Sequence, residues 1–172
     1  EKINDKKIKI FKNKKNIGAL GNFNKCLNLA TSKYFILLPC DDIIEKNYLN
    51  RIIPILDYDE SLSLAFGVTE RIDNLSNIIQ PSNLNKFKSR TYTKIDALKI
   101  ILNNFNPLVH PVIRVQCLRN LKIQFEEKYC NFSDIKLWTS IILNNNNIYV
   151  SNHVVSYIRV HSSSLQVLYK NM

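Results

Sequence analysis

The stretch from Asn16 to Asp42, NIGALGNFNKCLNLATSKYFILLPCDD, constrains this chain more than any other. Gly18 and Gly21 open it with backbone freedom that side chains forbid. Phe23, Cys26, Leu27 and Ala30 then recur at helical spacing and predict an amphipathic helix. Thr31, Ser32 and Lys33 interrupt that pattern. Tyr34 to Leu38 follows as an unbroken apolar run of strand length, which suits a strand buried on both faces of a parallel sheet. Helix and buried strand in such quick succession point to the α/β class. Asp41 and Asp42 come where the strand ends, and open α/β sheets bind ligands at the carboxyl ends of their strands. Two carboxylates there suit a divalent cation that holds phosphate oxygens. The plainer alternative is that Asp42 caps the next helix and Asp41 is merely solvated.

The remaining segments are consistent with one domain, since 172 residues can enclose a proper core. Ile8, Ile10 and Phe11 alternate as a short strand. Residues 45–56 carry Tyr48, Leu49, Ile52, Ile53 and Leu56 on one helical face, with Pro54 predicting a kink or an early end. Leu62 to Val68 reads as a strand, and Thr69 to Asn77 as its polar continuation into a hairpin-like loop. Residues 80–93 lack periodicity and carry Lys86, Lys88 and Arg90. They read as a loop whose basic side chains either meet phosphate or acceptor, or are simply solvated. Lys94 to Leu102 is helical, closing over Asn103 to Pro107. Val109 to Leu118 is apolar and buried, so His110 within it reads as a packed histidine. Between Phe125 and Asn144, Ser133 is an N-cap and Asp134 lies in the first turn, where the helix dipole favours negative charge. Leu137, Trp138, Ile141 and Ile142 form the face that anchors this helix. Ile148 to Val150 and Val154 to Val160 read as strands after a run of asparagines.

The net charge is +10, with lysines concentrated before Asn16. A basic surface favours anionic partners: nucleic acid, acidic lipid or phosphorylated small molecules. Cys26, Cys40, Cys117 and Cys130 show no paired spacing for zinc or redox chemistry, which agrees with free thiols in a reducing cytoplasm. No apolar run is long enough to span a bilayer. A start at Glu1 on charged residues reads as a segment cut from a longer protein.

Asn16, Gly18, Asn24, Ala30, Ser32, Tyr34, Asp41 and Asp42 fall, without a gap, on the pattern of the family 2 glycosyltransferases, which have the GT-A fold. Pro39 stands where that family's Asp-x-Asp has its first Asp. A second resemblance covers Phe125, Glu127, Asp134, Leu137 and Trp138, with Ser133 where an acid is usual. A third covers Tyr157, Arg159, His161 and the serines after it, including Ser164. The resemblance implies an α/β, GT-A-like (Rossmann-like) mixed sheet flanked by helices. It implies one domain over residues 1–172, a truncated version holding the C-terminal two-thirds of the catalytic core, without the strand-helix-strand that opens it. The implied activity is inverting transfer of a sugar from a nucleotide-diphosphate donor to an acceptor hydroxyl in surface polysaccharide or lipopolysaccharide synthesis. Asp134 would be the general base. Asp41 and His161 would hold a divalent cation, Mn or Mg. Asn16, Gly18, Asn24, Asp42 and Arg159 would bind the nucleotide-sugar donor. The implied partners are the donor and a glycan or lipid-linked acceptor, not nucleic acid, with peripheral membrane association and a homo-oligomer both open. The implied location is the bacterial cytoplasm or the inner face of its membrane. Two rivals remain: a non-catalytic fragment with the transferase fold, and a basic nucleic-acid-binding module, against which stands the lack of aromatics among the lysines.

Overall fold

The computed structural model describes residues 5–82, 88–103, 109–144 and 147–162. Lys86, the segment 104–108, Asn145, Asn146 and Ser164 lie outside them.

Seven strands form one mixed sheet in the order β1-β6-β3-β7-β2, with β4 added beside β3 and β5 beside β7. The strands are β1 (Tyr34–Phe35), β2 (Ile43–Ile44), β3 (Leu62–Ile72), β4 (Ile78–Gln80), β5 (Arg90–Thr93), β6 (Val112–Arg114) and β7 (Asn147–Arg159). β3 and β7 run parallel from Leu62↔Asn147 to Ile72↔Arg159 and make the spine of the sheet. The helices are α1 (Gly18–Leu29), α2 (Tyr48–Tyr58), α3 (Lys94–Asn103), α4 (Val115–Leu121) and α5 (Ser133–Asn144). Two cores separate the layers. On one face Leu64, Phe66, Ile113, Ile148 and Val150 meet Leu137, Trp138 and Ile141 of α5, with Phe23 and Leu27 of α1 packed against them. On the other, Tyr48, Ile52 and Leu56 of α2 meet Leu62, Ala65, Val112 and Val155. A mixed sheet flanked by helices is the architecture that the resemblance implies.

Several segments differ from expectation for tertiary reasons. Ile8, Ile10 and Phe11 form no strand; they are 50%, 91% and 54% exposed and meet no neighbouring strand among the described residues. The apolar run at Tyr34 gives only a two-residue strand, antiparallel to β6 and half-buried, because it ends the order of the sheet instead of lying inside it. α2 passes through Pro54 to Tyr58, held on both sides of the proline by buried Tyr48, Ile52 and Leu56. β3 extends past Val68 to Ile72, and its hairpin closes at Asp73, whose carboxylate accepts from the backbone N–H of Leu75 and Asn77, both at 2.8 Å. The Asn77 side-chain and backbone bonds hold that carboxyl below its usual range. The supposed loop at 90–93 is the strand β5, because Tyr92 is buried and β7 supplies the ladder. The two strands expected after Asn147 are one continuous β7.

Candidate active site

β1, β3 and β7 all point their carboxyl ends toward the turn that carries Asp41 and Asp42. This turn closes with the Asp42 N–H on the Pro39 carbonyl at 3.4 Å, between β1 and β2. Asp42 caps no helix, since α2 begins only at Tyr48 after Asn47. Its Oδ1 accepts from the backbone N–H of Arg159 at 2.9 Å, and its Oδ2 lies 3.1 Å from His110 Nε2. The Asp42 side chain is 7% exposed and that of His110 only 2%. Both oxygens of Asp42 are therefore spent on the protein.

Asp41 is arranged differently. Its carbonyl accepts from Arg159 Nε at 3.1 Å, while its carboxylate Oδ2 lies 3.0 Å from His161 Nε2. These side chains are 38% and 27% exposed, so the pair faces outward. Arg159 spreads its guanidinium over three acceptors on two loops: the Asp41 carbonyl, the Asp73 carbonyl and Ser76 Oγ at 3.0 Å. Its charge lies at the turn, and three of its five donors fix the β1–β2 turn against the β3–β4 hairpin.

A carboxylate oxygen beside an imidazole nitrogen is a donor set for a divalent ion such as Mn. Asp41 and His161 fit that role. No cluster of three or more His, Cys, Asp or Glu with metal-holding geometry exists among the described residues. Further donors would thus come from a ligand and water.

Asn16 and Gly18 shape the entry to α1. Asn16 Oδ1 accepts from the Gly18 N–H at 2.9 Å, and Gly18 takes a φ of +71°, a left-handed value that favours glycine. Asn24 acts across the fold. Its side chain donates to the Phe125 carbonyl and accepts from the Phe125 N–H, both at 2.8 Å, as a neighbouring strand would. Phe125 in turn stands edge-on to Phe23 and to Trp138, with ring centroids 5.4 and 6.3 Å apart. α1 is thereby locked to the segment that leads into α5. Replacing Asn24 by Ala leaves two part-buried backbone groups unpaired, and unfolding free energy should fall by about 2–4 kcal/mol; denaturant melts of the two proteins measure this directly.

Asp134 stands at the amino end of α5, preceded by a 3-10 helix over Glu127–Phe132 that runs directly into it. For that reason Ser133 is no N-cap: its Oγ accepts from the Glu126 N–H at 2.6 Å instead. Asp134 and the Asp41 turn stand on separate elements, and no hydrogen bond or ion pair among the described residues joins them. The Asp134 carboxylate is half-buried, not exposed. Burial pushes its pKa up, against the backbone N–H of Ile135 at 2.7 Å, which favours the charged form.

The sequence does not single out His110, Tyr48 or Arg114. Arg114 caps the end of α2 by donating to the carbonyls of Leu56 and Asp59, and also reaches that of Leu62. The one signal for His110 is its place before Pro111, in a segment otherwise apolar.

Comparison with known proteins gives a consistent result. The model of glycosyl transferase family 2 matches residues 1–114, a span that contains Asp41, Asp42 and His110 and stops before Asp134, Arg159 and His161. An uncharacterised glycosyltransferase of Methanocaldococcus jannaschii is 29% identical over 140 residues, covering 81% of this chain and 46% of that protein. One of Haemophilus influenzae is 24% identical over 147 residues, covering 80% and 43%. This chain thus spans less than half the length of either relative. Crystal structures of S. aureus TarS residues 1–349, alone and in complex with UDP-GlcNAc, superpose with TM-scores of 0.62 and 0.63 at 21% identity. They cover 79% and 82% of this chain, and it covers 38% of each. At that identity the likeness speaks for the GT-A fold.

Proposed function

The chain belongs to glycosyl transferase family 2, and from that premise we propose that it is part of an inverting glycosyltransferase that moves a sugar from a nucleotide-diphosphate donor to an acceptor hydroxyl. The observation that carries the reading is the Asp41–Asp42 turn. It lies at the carboxyl end of the sheet, with one carboxylate consumed in holding the turn and the other open beside His161. TarS, which shares the fold, is known in complex with UDP and with UDP-GlcNAc.

In this reading Asp41 and His161 would hold a divalent cation, which would supply positive charge beside the diphosphate. Arg159 keeps the turn in place and adds its own charge close by. Asn16, Gly18 and Asn24 shape α1 and its approach to the donor side. Asp134 takes the proton from the acceptor hydroxyl while that oxygen bonds to the anomeric carbon. The bond from that carbon to the diphosphate oxygen breaks on the opposite face, which inverts the configuration. The carboxyl pKa, raised by burial, makes Asp134 a stronger proton acceptor than a solvated aspartate. The lysine-rich surface favours a diphosphate donor, and an acceptor carried on lipid at an acidic membrane face. No described helix is long and apolar enough to cross a membrane.

Melting the protein with Mn²⁺ and UDP, GDP, CDP or dTDP in turn tests this. A ligand at a hundredfold excess over its Kd adds about 2.7 kcal/mol, or about 5–11 °C at this length. Asp41→Asn should abolish the Mn²⁺-dependent part of the shift. No shift with any of the four would favour a non-catalytic fragment with the transferase fold, and salt-sensitive binding of an oligonucleotide would favour the nucleic-acid module.

A further inference from the structure

His110 is the buried residue whose geometry is hardest to explain by packing. Its φ is +55°, a left-handed value unfavourable for a side-chain-bearing residue. The residue is 4% exposed, and its Nδ1 has no hydrogen-bond partner among the described residues. A core position could be filled at lower cost by an apolar side chain in ordinary backbone geometry. What the strained backbone achieves is to aim Nε2 at Asp42 Oδ2, 3.1 Å away. The His110 backbone is itself fixed, since its carbonyl accepts from the hydroxyl of fully buried Tyr48 at 3.1 Å.

Asp42 links that anchor to the exposed part of the site. With Oδ2 on His110 and Oδ1 on the Arg159 N–H, its carboxylate can neither rotate nor turn outward. The next residue back is Asp41, whose carbonyl is gripped by Arg159 and whose carboxylate faces His161. The two aspartates therefore divide the work, with Asp42 tying the turn to the core and Asp41 presenting the ligand oxygen. We propose that His110 is a positioning residue, whose hydrogen bond to Asp42 holds the Asp41 turn ready for the diphosphate of the donor. This rests on the donor-binding reading above and adds the residue that keeps that site in shape.

Two substitutions separate the hydrogen bond from the backbone turn. Asn tolerates a left-handed φ well, yet its amide reaches only as far as Nδ1 and leaves Asp42 Oδ2 without its His110 bond. Gln extends an N–H about as far as Nε2, but is less at ease at that φ. The full chain with His110→Asn and with His110→Gln is titrated with Mn²⁺ and whichever of the four nucleoside diphosphates stabilises the parent most. Isothermal calorimetry gives the affinity, and melting temperature checks the fold. His110→Asn should bind about tenfold more weakly than the parent and His110→Gln within about threefold, although Asn suits the backbone better. Binding that is equal in both, or weaker in Gln than in Asn, would overturn the positioning role while leaving the donor site standing. A parent that binds none of the four would remove the donor-binding reading, and this proposal with it.

Discussion

Asp134→Asn is expected to slow sugar transfer by about 10²–10⁴-fold while leaving nucleotide affinity near that of the parent. The amide has nearly the shape of the carboxylate but cannot accept the acceptor's proton at neutral pH. Direction of stability separates this from a folding defect. Because burial raises this carboxyl's pKa, folding favours its protonated form. The associated stability is present below the unfolded pKa and is lost as pH rises through the folded one. At neutral pH the carboxylate is thus a burden on the fold, and the neutral amide should melt no lower than the parent. The same shift places the acid limb of kcat/KM at higher pH than a solvated aspartate would give, and that limb should vanish in the variant. An Asp134→Asn protein with parental rates would sink the base assignment; one that melts well below the parent would make the residue structural.

Gly67→Ala should be the most damaging single methyl group in the molecule. A Cβ at Gly67 would stand 2.3 Å from Val155 Cγ1 and 2.9 Å from the His153 carbonyl oxygen. Val155 is 1% exposed and part of the α2-side core, and a backbone carbonyl cannot step aside like the tip of a flexible chain. Relief requires β3 and β7 to part where their register already shifts, between Phe66 and Val68. Overpacking of this kind costs about 3 kcal/mol, which lowers the melting temperature by about 6–12 °C at this length. The damage should reach the site as well. β7 ends at Arg159, which holds both Asp41 and Asp42, so Mn²⁺-dependent nucleotide binding should weaken in any folded variant. An alanine variant with the parental melting temperature would show that the two strands have slack that the packing does not reveal.

The segments that the sequence rendered well share one property: their signal is local. The stripe of α1, the anchoring face of α5 and the helix at Lys94 are periodicities that the chain carries within a few turns. The position of Asp41 and Asp42 at a strand's carboxyl end belongs to the same class, since an apolar run followed by two acids is legible in order. The resemblance on those residues extended the reading to the family. The segments that it missed depend on partners. β5 exists because β7 is beside it, while the alternating Ile8, Ile10 and Phe11 have no such neighbour among the described residues and form no strand.

By itself the sequence determined the α/β class, the helical faces and which acids lie near the strand ends, because hydrophobic spacing and charge are written along the chain. Only the tertiary structure decided what each residue does there: that Asn24 clips Phe125, that Arg159 braces two loops, and that Asp42 turns inward to His110 while Asp41 stays open. Those outcomes rest on hydrogen bonds between residues 68 to 120 positions apart. Bonds of that span are set by how the sheet brings its carboxyl ends together, a property that no short stretch of sequence contains.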